Sequence, residues 1–266
     1  MQLVTPLLTN REVNWGGEGV GYYWFDTDEF RFIAVDTNYS YNPDTKEWEH
    51  NREGSWGPPG SAGLPGNNIY PNSLGPKQFE WLKKILYESA EQKKCCILLS
   101  HAPLTVRIEA CTYDARAIER LIDDVNAVRA GTVKMCINGH RHTDTFLVRN
   151  NVVYFDVNAV RSGAWTEKKD FHYADGQGFE FTDYDAEGRE ISKEYVDYNC
   201  LRQGSNTWFF DAPLSADVVL EDNKLIIKGS SCNWAFGVEP DPDSFGEDNA
   251  SSMGTAIYSH TYIFAD

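Results

Sequence analysis

The chain has 266 residues, 41% of them apolar and 14% aromatic, which is ample for a buried core and too much for a disordered segment. Its formal charge of −16 repels a phosphate backbone, so sequence-independent nucleic-acid binding is not expected of it. No run approaches the roughly 18 consecutive apolar residues of a membrane span, and the start MQLVTPLLTN lacks the basic and apolar regions of a signal peptide.

From the amino end, WGGEGVGYYWFDTDEFRFIAVDTNYS reads as a glycine-rich lead-in and two strands, Gly21 to Phe25 and Phe30 to Val35, turned at Asp26 to Glu29. Glycines 16, 17, 19 and 21 do not match GxGxxG and follow no strand, so a phosphate-cradling loop is not expected. From Asn38 to Gly75 the chain is polar, rich in Gly, Pro, Asn and Trp, and without periodicity. It reads as one long loop, a kind that usually carries function or moves. Pro76 then opens a helix to about residue 91, with Phe79, Leu82, Ile85 and Leu86 on one face and Lys83, Lys84 and Glu88 on the other.

The apolar strand Cys95 to Leu99 ends in Ser100-His101-Ala102-Pro103, and a second amphipathic helix follows at about 114 to 129. It leads into the strand Val133 to Ile137 and then Asn138-Gly139-His140-Arg141-His142. Strand, helix, strand with apolar strands predicts a βαβ crossover in an α/β sheet, where function sits at the carboxyl ends of strands. Both histidine clusters fall there. Hairpins are predicted for Thr145 to Val148 with Val152 to Val157, and for Phe179 to Tyr184 with Ile191 to Tyr198. After Cys200 the composition shifts: residues 201 to 266 hold ten acidic and three basic residues with β-type runs, an acidic β-rich appendage. Its DPDSFGEDN segment lacks the carboxylates of a complete calcium loop.

Six cysteines without a CxxC pair point to reduced thiols and, with no leader in these residues, to a cytoplasmic setting; an upstream segment carrying a signal peptide would change that. Residues i and i+2 of an extended chain face the same way, roughly 6 to 7 Å apart, so His140 and His142 can reach one metal cluster, with His101 on the neighbouring strand. The glycine before them lets backbone approach an ion closely. A lone histidine at a strand end is more often structural, which is the reading for His50, His172 and His260. Three at two adjacent strand ends favour ligation.

The series YYWFDTDEFRFIAVDTN, Gln78-Phe79-Glu80-Trp81-Leu82, ILLSHAPL and NGHRHTDTF resembles the second half of the calcineurin-like metallophosphoesterases, over about residues 20 to 200. That resemblance implies the mixed-sheet part of a four-layer α/β/β/α sandwich (residues 1–200), with residues 201–266 as an extension. It implies hydrolysis of a phosphoester substrate by water activated on two metal ions (Mn, Fe or Zn), with His101 and His140 on one ion and His142 on the other. The family's first half supplies DxH, GDxxD and GNH motifs, and none occurs in these 266 residues. The bridging carboxylate and the acid for the leaving group would then lie upstream of Met1. The expectations are weak or partial metal binding, an inactive truncated chain, and an exposed sheet edge and apolar face inviting self-association. The rival readings are a degenerate half-domain that binds a partner or sugar through its acidic tail and Trp48, Trp56 and Tyr70, and a hydrolase with one zinc on three histidines. Asp36, Asn38, Asp144 and Asn158 are the next candidate ligands.

Overall fold

The computed structural model describes residues 12–18, 20–50, 69–108, 110–160, 162–166, 174–184, 189–197, 206–221, 223–239 and 254–265. In chain order, β1 (Asn14–Trp15), β2 (Tyr23–Asp26), β3 (Phe30–Ala34), β4 (Tyr39–Asn42), β5 (Glu47–His50) and β6 (Ile69–Ser73) precede α1 (Gly75–Glu91). Then β7 (Cys95–Leu99), α2 (Ala115–Val128) and β8 (Val133–Asn138) form the crossover, followed by β9 (Thr145–Arg149) and β10 (Val152–Asp156). The remainder is β11 (Ser162–Thr166), β12 (Gly178–Tyr184), β13 (Glu190–Asp197), β14 (Asn206–Phe209), β15 (Ala216–Glu221), β16 (Lys224–Gly229) and β17 (His260–Ile263).

A seven-stranded sheet of order β1-β2-β3-β7-β8-β10-β9 is the centre of the molecule. Its four inner strands, β3, β7, β8 and β10, run parallel, while β1, β2 and β9 are antiparallel to their neighbours. Parallel strands are buried on both faces, which is why β7 and β10 read as continuous apolar runs rather than alternating ones. On one face, Ile33, Cys96, Leu98, Cys136, Val152 and Tyr154 meet Leu82, Ile85 and Leu86 of α1 and Ile118, Leu121, Ile122 and Val125 of α2. Each such side chain stabilises the fold by roughly 1.5 to 3 kcal/mol through burial.

The pairing register shifts between Cys96 and Ile97 against Val133 and Met135, which places Lys134 in a bulge. Val133 therefore joins the helix-side core and Met135 the opposite one, although strict alternation would put them on the same face. The adjacent thiols diverge as expected of strand neighbours: Cys96 is buried under the helices, Cys95 is not, and the five described cysteines are all free thiols.

One expectation needs correction. Residues 38 to 75 are not one loop, because β4 pairs with both β5 and β6 in a separate three-stranded antiparallel sheet. Residues 51–68, Trp56 among them, lie outside the described residues, as do His172 and the acidic segment at 240–249. The carboxyl-terminal strands pack against the central sheet. Phe210, Leu214, Leu225, Ile227, Ile257 and Phe264 form one core with Ile97, Met135, Val153 and Phe155, on the face of the central sheet away from the helices. The β15-β16-β17 sheet thus covers that face of the central sheet. The described layers are helix, sheet, sheet, and among the described residues no second helix layer closes a fourth. Among the described residues the β12–β13 hairpin pairs with no third strand, and Ile191 and Tyr195 on it are exposed.

Candidate metal-ligand site at the strand ends

Backbone pairing continues past the ends of the parallel strands. The Val35 amide donates to the Leu99 carbonyl, Ser100 to Ile137, Gly139 to His101 and Val157 to Asn138. This ladder sets His101 beside Gly139-His140 at the carboxyl side of the sheet, where a crevice forms in α/β folds. A Cβ on Gly139 would sit 3.4 Å from the Val157 carbonyl, at the edge of ordinary van der Waals contact, so the two backbones pass close together here.

The imidazoles of His101 and His140 meet with Nε2 and Nδ1 3.1 Å apart and ring centroids 4.9 Å apart. Burial, then the neighbouring His101, His142 and Arg141, pushes His140 down to about 4. Burial lowers His101 as well, and burial with His101 lowers His142. All three rings are therefore neutral at pH 7, the state that donates a lone pair to a cation. Two nitrogens bound at 2.0 to 2.1 Å to one tetrahedral ion lie about 3.3 Å apart, close to the separation found here. The same spacing suits an N–H···N hydrogen bond between the rings, so the pair is compatible with either state.

His142 holds a positive φ of 58°, a conformation that costs a non-glycine residue energy and clusters at functional sites. The turn Arg141-His142-Thr143 wraps over Asp156, which the sequence reading passed over. Asp156 is fully buried at the end of β10, opposite Asn138 in register, and accepts a 2.6 Å hydrogen bond from the Asn138 amide. Its other oxygen makes no hydrogen bond of ordinary geometry, although the His140 amide and the Thr143 hydroxyl lie close enough to favour its ionised form. Burial outweighs these and Arg141, and pushes the carboxyl up to about 7. The only sequence hint was an aspartate ending an otherwise apolar strand.

The other candidate ligands have different employment. Asp36 contacts His50 Nε2 at 2.8 Å and accepts the Asn38 amide, while Gln78 bonds the Asp36 backbone on both sides. Asp144 accepts the Tyr258 amide and lies 3.6 Å from His260, which stacks on Phe146. Asn158 donates to the Gly254 and Ala256 carbonyls, tying the tail down. Thus His50 and His260, read as structural, each pair with a carboxylate. Among the described residues, no three His, Cys, Asp or Glu side chains are grouped to hold one ion. The donor set fits a two-nitrogen partial site and does not enclose a dinuclear centre.

Fold and site together define a mixed α/β protein with extra antiparallel sheets and histidines on its parallel strand ends. No family model and no curated protein matches the sequence. Among solved structures, a dimetal phosphatase from Danio rerio is similar at 10% identity and a TM-score of 0.37. The match covers 74% of this chain and 41% of the phosphatase, so the chain corresponds to less than half of that protein's length. A likeness this slight carries no functional argument.

Proposed function

We propose that this chain carries part of the metal-binding machinery of a metal-dependent phosphoester hydrolase, and that turnover needs ligands beyond those described here. One observation supports this above the others. Two neutral imidazoles, His101 and His140, lie 3.1 Å apart at adjacent parallel strand ends, each inside a motif, SHAP or GHRH, that resembles the metallophosphoesterases. A bound ion would supply a water activated for attack on phosphorus. The chain's own contribution is to hold two uncharged donors in fixed orientation, the Gly139 amide donating to the His101 carbonyl 3.2 Å away. Because the described donors do not enclose two ions, no catalytic step is assigned to the chain alone.

The test is turnover of p-nitrophenyl phosphate and its bis-ester with Mn, Fe or Zn. The 266-residue chain is expected to show negligible activity, since removing groups that act as a unit loses nearly all the rate. Fusing an upstream segment with DxH, GDxxD and GNH restores turnover, and His140→Ala in that protein abolishes it. Robust metal-dependent turnover by the chain alone, lost on His101→Ala, would overturn the reading in favour of a self-sufficient hydrolase.

A further inference from the structure

Strand β10 is buried at every position, yet it ends in Asp156, a carboxylate shielded from water. Strand alternation puts Asp156 with Tyr154 on the helix-side face of the central sheet, and Asn138 with Cys136 on the neighbouring strand. Packing alone gives no reason for a carboxylate there. Taking one out of water costs free energy unless its oxygens are paired, and an apolar side chain of similar size would fill the same space. One oxygen accepts the Asn138 side-chain amide at 2.6 Å, while the other has no hydrogen bond of ordinary geometry. Incompletely paired buried groups are uncommon in folded proteins, and buried titratable groups concentrate at functional sites.

The groups around this carboxylate belong to one short turn. Asn138 precedes the two histidines, and the Arg141 guanidinium, the His140 amide and the Thr143 hydroxyl all lie close enough to favour a negative charge on Asp156. Residues 140–143 form neither helix nor strand, and His142 holds a φ of 58°. A turn without a repeating backbone ladder aims its side chains according to what it folds around. On the β7 side of β8, the Gly139 amide donates to the His101 carbonyl. On the β10 side, the turn folds around Asp156. His140 follows directly between these two anchors, and its ring meets His101 with Nδ1 and Nε2 3.1 Å apart.

We propose that Asp156 is a positioning residue: its carboxylate gathers Asn138, the His140 amide and Thr143, and so holds the His140 imidazole against His101. The inference deepens the proposed function and rests on its reading of the two rings as a donor pair. Groups that orient metal ligands without binding the ion typically change affinity by about 10- to 100-fold when removed.

The experiment compares the 266-residue chain with its Asp156→Asn variant at pH 7.5, first without metal. Asparagine keeps the shape and can still accept the Asn138 amide, but it turns a second donor toward the His140 amide. Ring-proton contacts between His101 and His140 are read by two-dimensional NMR, with assignments from His101→Asn and His140→Asn. The wild type is expected to show these contacts and Asp156→Asn to lose them, while its urea midpoint is unchanged or raised because a buried charge has gone. A purely structural aspartate predicts the reverse, a lowered midpoint with the contacts kept. Zinc is then titrated by calorimetry, and Asp156→Asn should bind it roughly tenfold or more weakly than wild type. If Asp156→Asn lowers the midpoint and loses the contacts together, Thr143→Val, which leaves β10 whole, decides in its place by the same two readouts. Ring contacts kept in the deciding variant, zinc affinity equal to wild type, or no contacts in the wild type would each overturn the proposal. A wild type that shows the contacts but binds no zinc overturns the metal reading, and the NMR comparison then decides this inference.

Discussion

Replacing Ile227 by alanine tests whether the carboxyl-terminal sheet shares the molecule's core. Ile227 is fully buried on β16, in the cluster that contains Met135 of β8 and Phe155 of β10. The substitution removes Cγ1, Cγ2 and Cδ1, at about 0.8 kcal/mol of transfer free energy per buried carbon, and leaves a cavity that the two packed sheets cannot fully close. The expected loss is about 3 kcal/mol, within the range of 2 to 5 measured for such truncations. For a chain of this size that lowers the melting temperature by about 6 to 12 °C. The assay is urea unfolding followed by far-UV circular dichroism, together with amide exchange at β8 and β10. A shared core predicts one transition at lower urea and a matching loss of protection at Met135, Val153 and Phe155, which lie on strands far from residue 227 in sequence. Loss of protection confined to residues 206–265, with β8 and β10 unchanged, would refute the reasoning.

Metal binding by the 266-residue chain at pH 7.5 should be weak and should vanish in His140→Ala; tight binding of two ions per chain by elemental analysis would show a fuller ligand set than the described residues bring together. The buried Asp156, pushed up to about 7 from an unfolded value near 4, holds more protons folded than unfolded between those values, so its contribution to stability falls as pH rises through that window. His140, pushed down to about 4, acts with the opposite sign: the unfolded chain takes up the proton first, and stability falls as pH drops from about 6.5 toward 4. Asp156→Asn should therefore flatten the urea midpoint's decline between pH 4 and 7, and His140→Ala should flatten its decline below pH 6.5. An unchanged pH profile in either variant contradicts the corresponding shift.

Elements whose pattern is local could be read from the residues alone. The spacing of Leu82, Ile85 and Leu86, and of Ile118, Leu121, Ile122 and Val125, announces α1 and α2 because a helix buries one face whatever it packs against. The apolar run at Cys95–Leu99 and the two histidine clusters likewise place donors at strand ends without knowledge of the neighbours. Three things depended on contacts distant in the chain. The β4–β6 sheet was hidden by the shortness of its strands, since Tyr39 and Tyr41 on β4 and Trp48 and His50 on β5 alternate with polar residues over four residues each and are fixed only by pairing ring against ring. The partners of Asp36, Asp144 and Asn158 came from residues 14 to 116 positions away or were backbone groups, which no spacing rule foretells. The covering of Ile97, Met135, Val153 and Phe155 by Phe210, Leu225 and Ile227 was decided by shape and burial between two sheets. Hydrophobicity in a sequence says that a face must be covered; only tertiary packing decides which segment covers it, because burial free energy is non-directional.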